Sequence, residues 1–234
     1  MAKSEKGFEP TFENGGFWEY YKDLERQFED FLDYVPYLEG NEKTYSFRLA
    51  NLLLAIGAHV DSAFKEMARY HLFSEKESCK EILRRADDKL GTLTSGVRAF
   101  NEIYGISSEE VTFKCLPKRM KIIPFKEAKP EWWDSYNDIK HDFGDNLSKA
   151  NLRVVRDALA GAFLLNVIHY PAADWLSHFK LFTPKYAPRG FEQIYDKFRG
   201  KSMQPIYVSD VSSIDPFLIE TPLFIYDYEK VKMP

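Results

Sequence analysis

Apolar residues recur at helical spacing along most of the first 170 positions. Phe17, Tyr21, Leu24, Phe28, Phe31 and Val35 are separated alternately by four and three, which predicts a helix over 17–35 with one apolar face. Glu19, Lys22, Asp23, Glu25, Arg26, Glu29, Asp30 and Asp33 fill its other faces, and Pro36 stops it. A second helix is predicted over 46–70, with Ser46 as its N-cap. From Leu49 to Val60 only Asn51 and His59 interrupt the apolar run, so this helix should be central. Asp61 and Lys65, four apart, make an exposed supporting pair. Ser74 and Glu77 have capping-box spacing and open a third helix, which Gly105 ends.

The period then changes. Val111, Phe113 and Cys115 alternate with Thr112 and Lys114, as in a strand, and Met120 to Phe125 is the return strand of a hairpin. Pro130 opens a short helix carrying Trp132, Tyr136, Ile139 and Phe143 on one face, which Gly144 ends. Asp145 or Asn146 caps the next helix, which runs to about His169. Its Ala158, Ala160, Gly161 and Ala162 permit close packing. Beyond Pro171 the helical period is lost. A short helix is expected over 191–198 and short strands over 205–211 and 223–228, the tail pairing with the hairpin.

The expected organisation is therefore mainly α. A flexible arm (1–16) precedes an antiparallel helical bundle (17–170) with a small β-hairpin insertion (111–125). An irregular or β C-terminal extension (171–234) packs on that bundle. Its centre should hold Leu53, Ile56, Leu90, Val97, Leu159 and Phe163. With 234 residues, 44% of them apolar and 29% charged, the chain is an ordinary globular protein. A net charge of −4 excludes an overall basic nucleic-acid binder. No apolar run reaches the roughly 20 residues that a bilayer needs, and Met1 to Gly16 resembles no leader. A cytoplasmic protein with two free thiols, Cys79 and Cys115, is expected, and no membrane partner.

Familiar motifs fail. Gly200-Lys201-Ser202 lacks the earlier glycine of a phosphate loop, since position 195 is Tyr195. His59, His71, His141, His169 and His178 form no zinc pattern, so neither metal nor cofactor is expected. The informative stretch is Trp132 to His141. One helical turn separates Asn137 from His141, and Lys140 lies beside them. Imidazole suits proton transfer near neutral pH, and ammonium suits phosphate. The plainer reading is a histidine at the core edge, bonded to a backbone carbonyl. Two basic runs complete the candidates. One holds Lys114, Lys118, Arg119, Lys121 and Lys126. The other holds Lys185, Arg189, Lys197 and Arg199, with Tyr195 and Phe198 interleaved. Such runs can follow a phosphate chain.

A helical bundle carrying Tyr136-Asn137-Asp138-Ile139-Lys140-His141 before a long Ala-rich helix resembles the HEPN superfamily. The resemblance implies a metal-independent ribonuclease site of the Arg-x(4–6)-His type, usually completed across a homodimer. His141 corresponds to the histidine and Asn137 to the polar residue. Tyr136 stands where the family has arginine. Either the chain is a non-cleaving relative, or Lys140, Arg153 or Arg156 replaces that cation. On this basis Tyr136→Arg should raise cleavage. The expected function is RNA or nucleotide binding with weak or no cleavage, in a toxin, defence or regulatory role. Its expected partners are RNA or a nucleotide, a second copy in a homodimer, and an antitoxin-like protein. An active endoribonuclease using His141 and a non-catalytic protein-interaction module are the alternatives.

Overall fold

The computed structural model describes residues 16–73, 93–115, 118–168, 182–184 and 217–227. Helix α1 spans Gly16–Leu32, α2 Phe47–Phe73 and α3 Leu93–Tyr104. Strands β1 (Val111–Cys115) and β2 (Lys118–Ile122) follow, then α4 (Glu131–His141), the short α5 (Phe143–Asn146) and α6 (Leu152–Ile168). Three short strands come last: β3 (Phe182–Pro184), β4 (Phe217–Glu220) and β5 (Phe224–Asp227). The described part is thus mostly helical with one small antiparallel sheet. The expected arm up to residue 15, the capping box at Ser74, Leu90, the short helix over 191–198 and the strand over 205–211 lie outside the described residues, and Gly16, expected to end the arm, opens α1.

Helix α1 buries Tyr21, Leu24, Phe28 and Phe31 of the predicted stripe, with Trp18 beside them, against α2 and α6, while Phe17 and Val35 are half-buried. It stops at Leu32, with Val35 N–H still bonded to the Phe31 carbonyl before Pro36. Ser46 caps α2, its Oγ accepting from Leu49 N–H at 3.1 Å. Leu53, Ile56, Val97, Leu159 and Phe163 all lie in the core. Lys65 and Asp61 pair at 2.5 Å. Gly105 ends α3 at φ 70°, a backbone conformation that a Cβ disfavours.

The sheet order is β2-β1-β5-β4-β3. The hairpin register pairs Val111 with Ile122 and Phe113 with Met120, so the return strand sits earlier than expected and leaves Pro124 outside it. Strand β5 pairs antiparallel with β1, joining the C-terminal part of the chain to the hairpin. Val111, Phe113, Ile219, Phe224 and Tyr226 form the buried face, and the Phe224 ring stacks on Phe163 of α6 at 5.6 Å.

The passage from α4 to α6 differs from the sequence expectation. Helix α4 breaks at Asp142 (φ −146°), ahead of Gly144. The Asp142 carboxylate accepts from Asp145 N–H, which starts α5. Asn146 turns back and donates to the carbonyls of Asp138 and Asp142, so it closes α4 instead of opening α6. The cap of α6 is Asn151, whose Oδ1 accepts from Val154 N–H at 3.1 Å.

Candidate functional site

Helix α4 buries Trp132, Trp133, Tyr136 and Ile139. Trp132 is held by its indole N–H, which donates to the Pro124 carbonyl at 3.1 Å. The Tyr136 ring packs 4.8 Å from Trp133 and lies over Gly57 of α2. A Cβ at Gly57 would stand 2.3 Å from that ring, so glycine is what admits it. The Phe47–Phe143 ring contact at the other end of this helix pair makes α2 and α4 antiparallel.

This packing sorts the four residues of the sequence constellation. Tyr136 faces the core and is 5% exposed. Asn137 donates its amide to the Trp133 carbonyl one turn back, at 3.0 Å. Lys140 is exposed and rests its ammonium 5.4 Å from the centre of the Tyr136 ring, a cation–π contact. His141, the last residue of α4, is exposed, and its imidazole makes no hydrogen bond among the described residues. Lys140 and His141 thus reach solvent while Tyr136 and Asn137 turn back into the fold.

Within the chain both candidate replacement arginines are engaged with other partners. Arg153 grips Glu131, the first residue of α4, through two bonds of 2.6 and 2.9 Å. Ten residues at about 1.5 Å each place Glu131 some 15 Å along the helix from His141. That bond holds the Glu131 carboxyl below its usual range. Arg156 is buried, bonded to Asp157 at 2.6 and 2.8 Å and to the Tyr37 hydroxyl. Burial pushes the Asp157 carboxyl up, against the pull of Arg156. Tyr136→Arg, expected to raise cleavage, would also remove the ring that fills the space over Gly57.

The first basic run is half compensated. Lys114, Arg119 and Lys121 share the outer face of the sheet through the register Thr112–Lys121 and Lys114–Arg119. Lys114 pairs with Glu220 at 2.8 Å and Lys121 with Glu110 at 2.6 Å. Arg119 is exposed and has no ion-pair partner among the described residues. Lys118 opens β2. Lys185, Arg189 and Arg199 lie outside the described residues.

A cleft of about 310 Å³ runs beside α4 past Glu131, Asp134 and Asp138. Each carboxylate is already engaged: Glu131 by Arg153, Asp134 by Lys129 and Asp138 by Lys149. No group of three metal-ligating side chains occurs among the described residues.

Sequence reasoning missed an aromatic pair beside His141. Phe47 is 66% exposed, and its ring stacks on Phe143 with centroids 5.9 Å apart and planes 10° apart. Phe143 was expected on the face of Trp132 and Tyr136, but the break at Asp142 takes it out of that stripe. The available signal was Phe47 itself, a large apolar residue next to the Ser46 cap and outside the run that starts at Leu49.

No family model, no curated protein and no solved structure matches this chain. Among the described residues no helix is long and apolar enough to cross a membrane.

Proposed function

We propose that the protein is a HEPN-like helical module that binds RNA or a nucleotide and cleaves it weakly or not at all. The observation that carries this reading is the split within α4. Lys140 and His141 stand exposed at its end, while Tyr136 is turned into the core and the Asn137 amide is spent on its own helix. A cation and an imidazole suffice to bind phosphate. In-line cleavage also needs charge stabilisation in the transition state, and losing one such donor typically costs about 10²–10³ in rate. On the outer sheet face the exposed Arg119 adds one more cation, and non-specific RNA affinity grows with the number of such contacts. The resembled family works as isologous dimers, so a homodimer with α4 near its twofold axis belongs to the proposal.

The test is incubation with mixed RNA in the presence of a chelator, comparing wild type with His141→Ala, together with RNA binding at rising salt. The expected result is salt-sensitive binding and no difference in cleavage between the two proteins. Robust metal-independent cleavage that disappears in His141→Ala would establish the active endoribonuclease instead. Absence of RNA binding at low salt would leave a protein-interaction module.

A further inference from the structure

We infer that the outer edge of β2 is a docking site for an extended acidic segment of a partner protein, which joins the sheet alongside β2. The inference goes beyond the RNA reading and does not depend on it. Strand β2 ends the sheet order, so one of its sides has no neighbouring strand among the described residues. The register identifies the groups on that side. Lys114 N–H donates to the Leu223 carbonyl at 2.8 Å, so the backbone of Lys114, and of Thr112 two residues back, turns toward β5. Backbone direction alternates residue by residue along an antiparallel ladder. Val111, Phe113 and Cys115 therefore face β2, where they pair with Ile122, Met120 and Lys118. The N–H and C=O groups of Arg119 and Lys121 are left pointing outward, and no hydrogen bond fills them among the described residues. A row of such groups is a template for an added strand.

The side chains select the occupant. Arg119 is exposed without an ion pair among the described residues, and Lys121 is 67% exposed although it reaches Glu110 at 2.6 Å. An exposed pair of that kind is worth little, so Lys121 can exchange Glu110 for an incoming carboxylate. Lys126 is exposed past the turn that follows β2, and the exposed Glu127 next to it offsets part of its charge. A second copy of the chain fits badly. Two β2 edges pairing antiparallel about Met120 would set the Arg119 of each opposite the Lys121 of the other, and like charges directly opposite destabilise a sheet. Carboxylates at alternate positions of a foreign strand reverse the sign of the same contacts. Where β2 ends, a groove of about 160 Å³ opens between Ile122, Ile123, Pro124 and Trp132, and it can take an apolar side chain of the same segment.

The experiment uses the full chain and a fluorescein-labelled peptide of alternating glutamate and valine, about eight residues long to match an ordinary strand, with anisotropy read at low salt. The peptide should bind, and its lysine–valine counterpart should not. Arg119→Glu should weaken the acidic peptide by about 2- to 30-fold, since it turns an attractive cross-strand pair into a repulsive one. Because Arg119 is exposed, thermal unfolding of Arg119→Glu should match wild type. A peptide residue opposite Arg119 points its own backbone at β2. N-methylation of the glutamate amides should therefore abolish binding, whereas N-methylation of the valine amides should leave it. Equal effects of the two methylations would overturn the inference, because charge attraction alone does not distinguish them. An unchanged affinity in Arg119→Glu would also overturn it. So would absence of peptide binding, and if Arg119→Glu then weakened RNA binding the edge would be an RNA contact instead.

Discussion

Glu25 sits among the polar letters of α1 but is 2% exposed. One carboxylate oxygen accepts from the Thr221 hydroxyl at 2.5 Å and from Leu223 N–H at 3.0 Å, which fastens the turn between β4 and β5 to α1. The Tyr21 hydroxyl is buried beside it without a well-formed hydrogen bond of its own. Burial pushes the Glu25 carboxyl from 4.5 up to about 7, against the pull of the Thr221 and Leu223 bonds. The folded state therefore holds a proton that the unfolded chain has released. The resulting stability is complete below about pH 4.5 and is lost as pH rises through 7. At about 1.4 kcal/mol for each pH unit, the span amounts to roughly 3 kcal/mol. His59 works in the opposite direction, because burial lowers it from 6.5 to about 4. Its folded form refuses a proton that the unfolded chain accepts, so it costs stability as pH falls below 6.5. Over about pH 4.5–6.5 the two slopes cancel in wild type. Glu25→Gln keeps an oxygen for Thr221 and Leu223 and offers its amide to the Tyr21 hydroxyl. The variant should gain on wild type by roughly 3 kcal/mol between about pH 5 and 8, as urea unfolding followed by tryptophan fluorescence would read. Below about pH 6.5 it should show the His59 slope uncovered. A stability difference between the two proteins that stays constant over this range would refute the reasoning.

Substitutions at two further positions test the packing of the helical body. Gly57→Ala drives a methyl into the Tyr136 ring and should cost about 1–3 kcal/mol despite the better helix former, measured by chemical denaturation. Combined with Tyr136→Leu, most of that loss should return. Arg156→Ala removes the hydrogen-bonded partner of Asp157 and leaves the Tyr37 hydroxyl its bond to Glu42, and should cost about 3 kcal/mol, at the low end for breaking a buried pair because Asp157 is only half-buried. Arg156→Met, which fills the volume beside Met120, should lose less.

The helical body was legible because its signal is periodic and redundant. Each apolar stripe of α1, α2 and α6 repeats the same message over several turns, so no single residue decides it. The sheet was half legible. Alternation at Val111, Phe113 and Cys115 marks β1, whereas β4 (Phe217–Glu220) is too short to display a period. The α4–α6 passage was misread because Asp142, Asn146 and Asn151 are all good caps. Only the three-dimensional path decides that Asn146 closes one helix and Asn151 opens the next. Glu25 was misassigned for a similar reason. Its burial depends on Thr221 and Leu223, nearly 200 positions away, and no local pattern carries that information.

The same limit governs the candidate site. Spacing along a helix places Asn137 and His141 on one face, and α4 is indeed helical across both. Spacing does not say which way the neighbouring Tyr136 turns. That is set by Gly57 on another helix, whose missing Cβ opens room for a ring. Once Tyr136 enters that room, its position cannot present a cation beside His141 without refilling the gap. Arg153 and Arg156, plausible substitutes by their places in the sequence, are held by Glu131, Asp157 and Tyr37. Packing thus engages Tyr136, Arg153 and Arg156 elsewhere in the fold while leaving α4 helical. Lys140 and His141 remain exposed at the end of α4, and they are the two groups on which the proposed RNA binding rests.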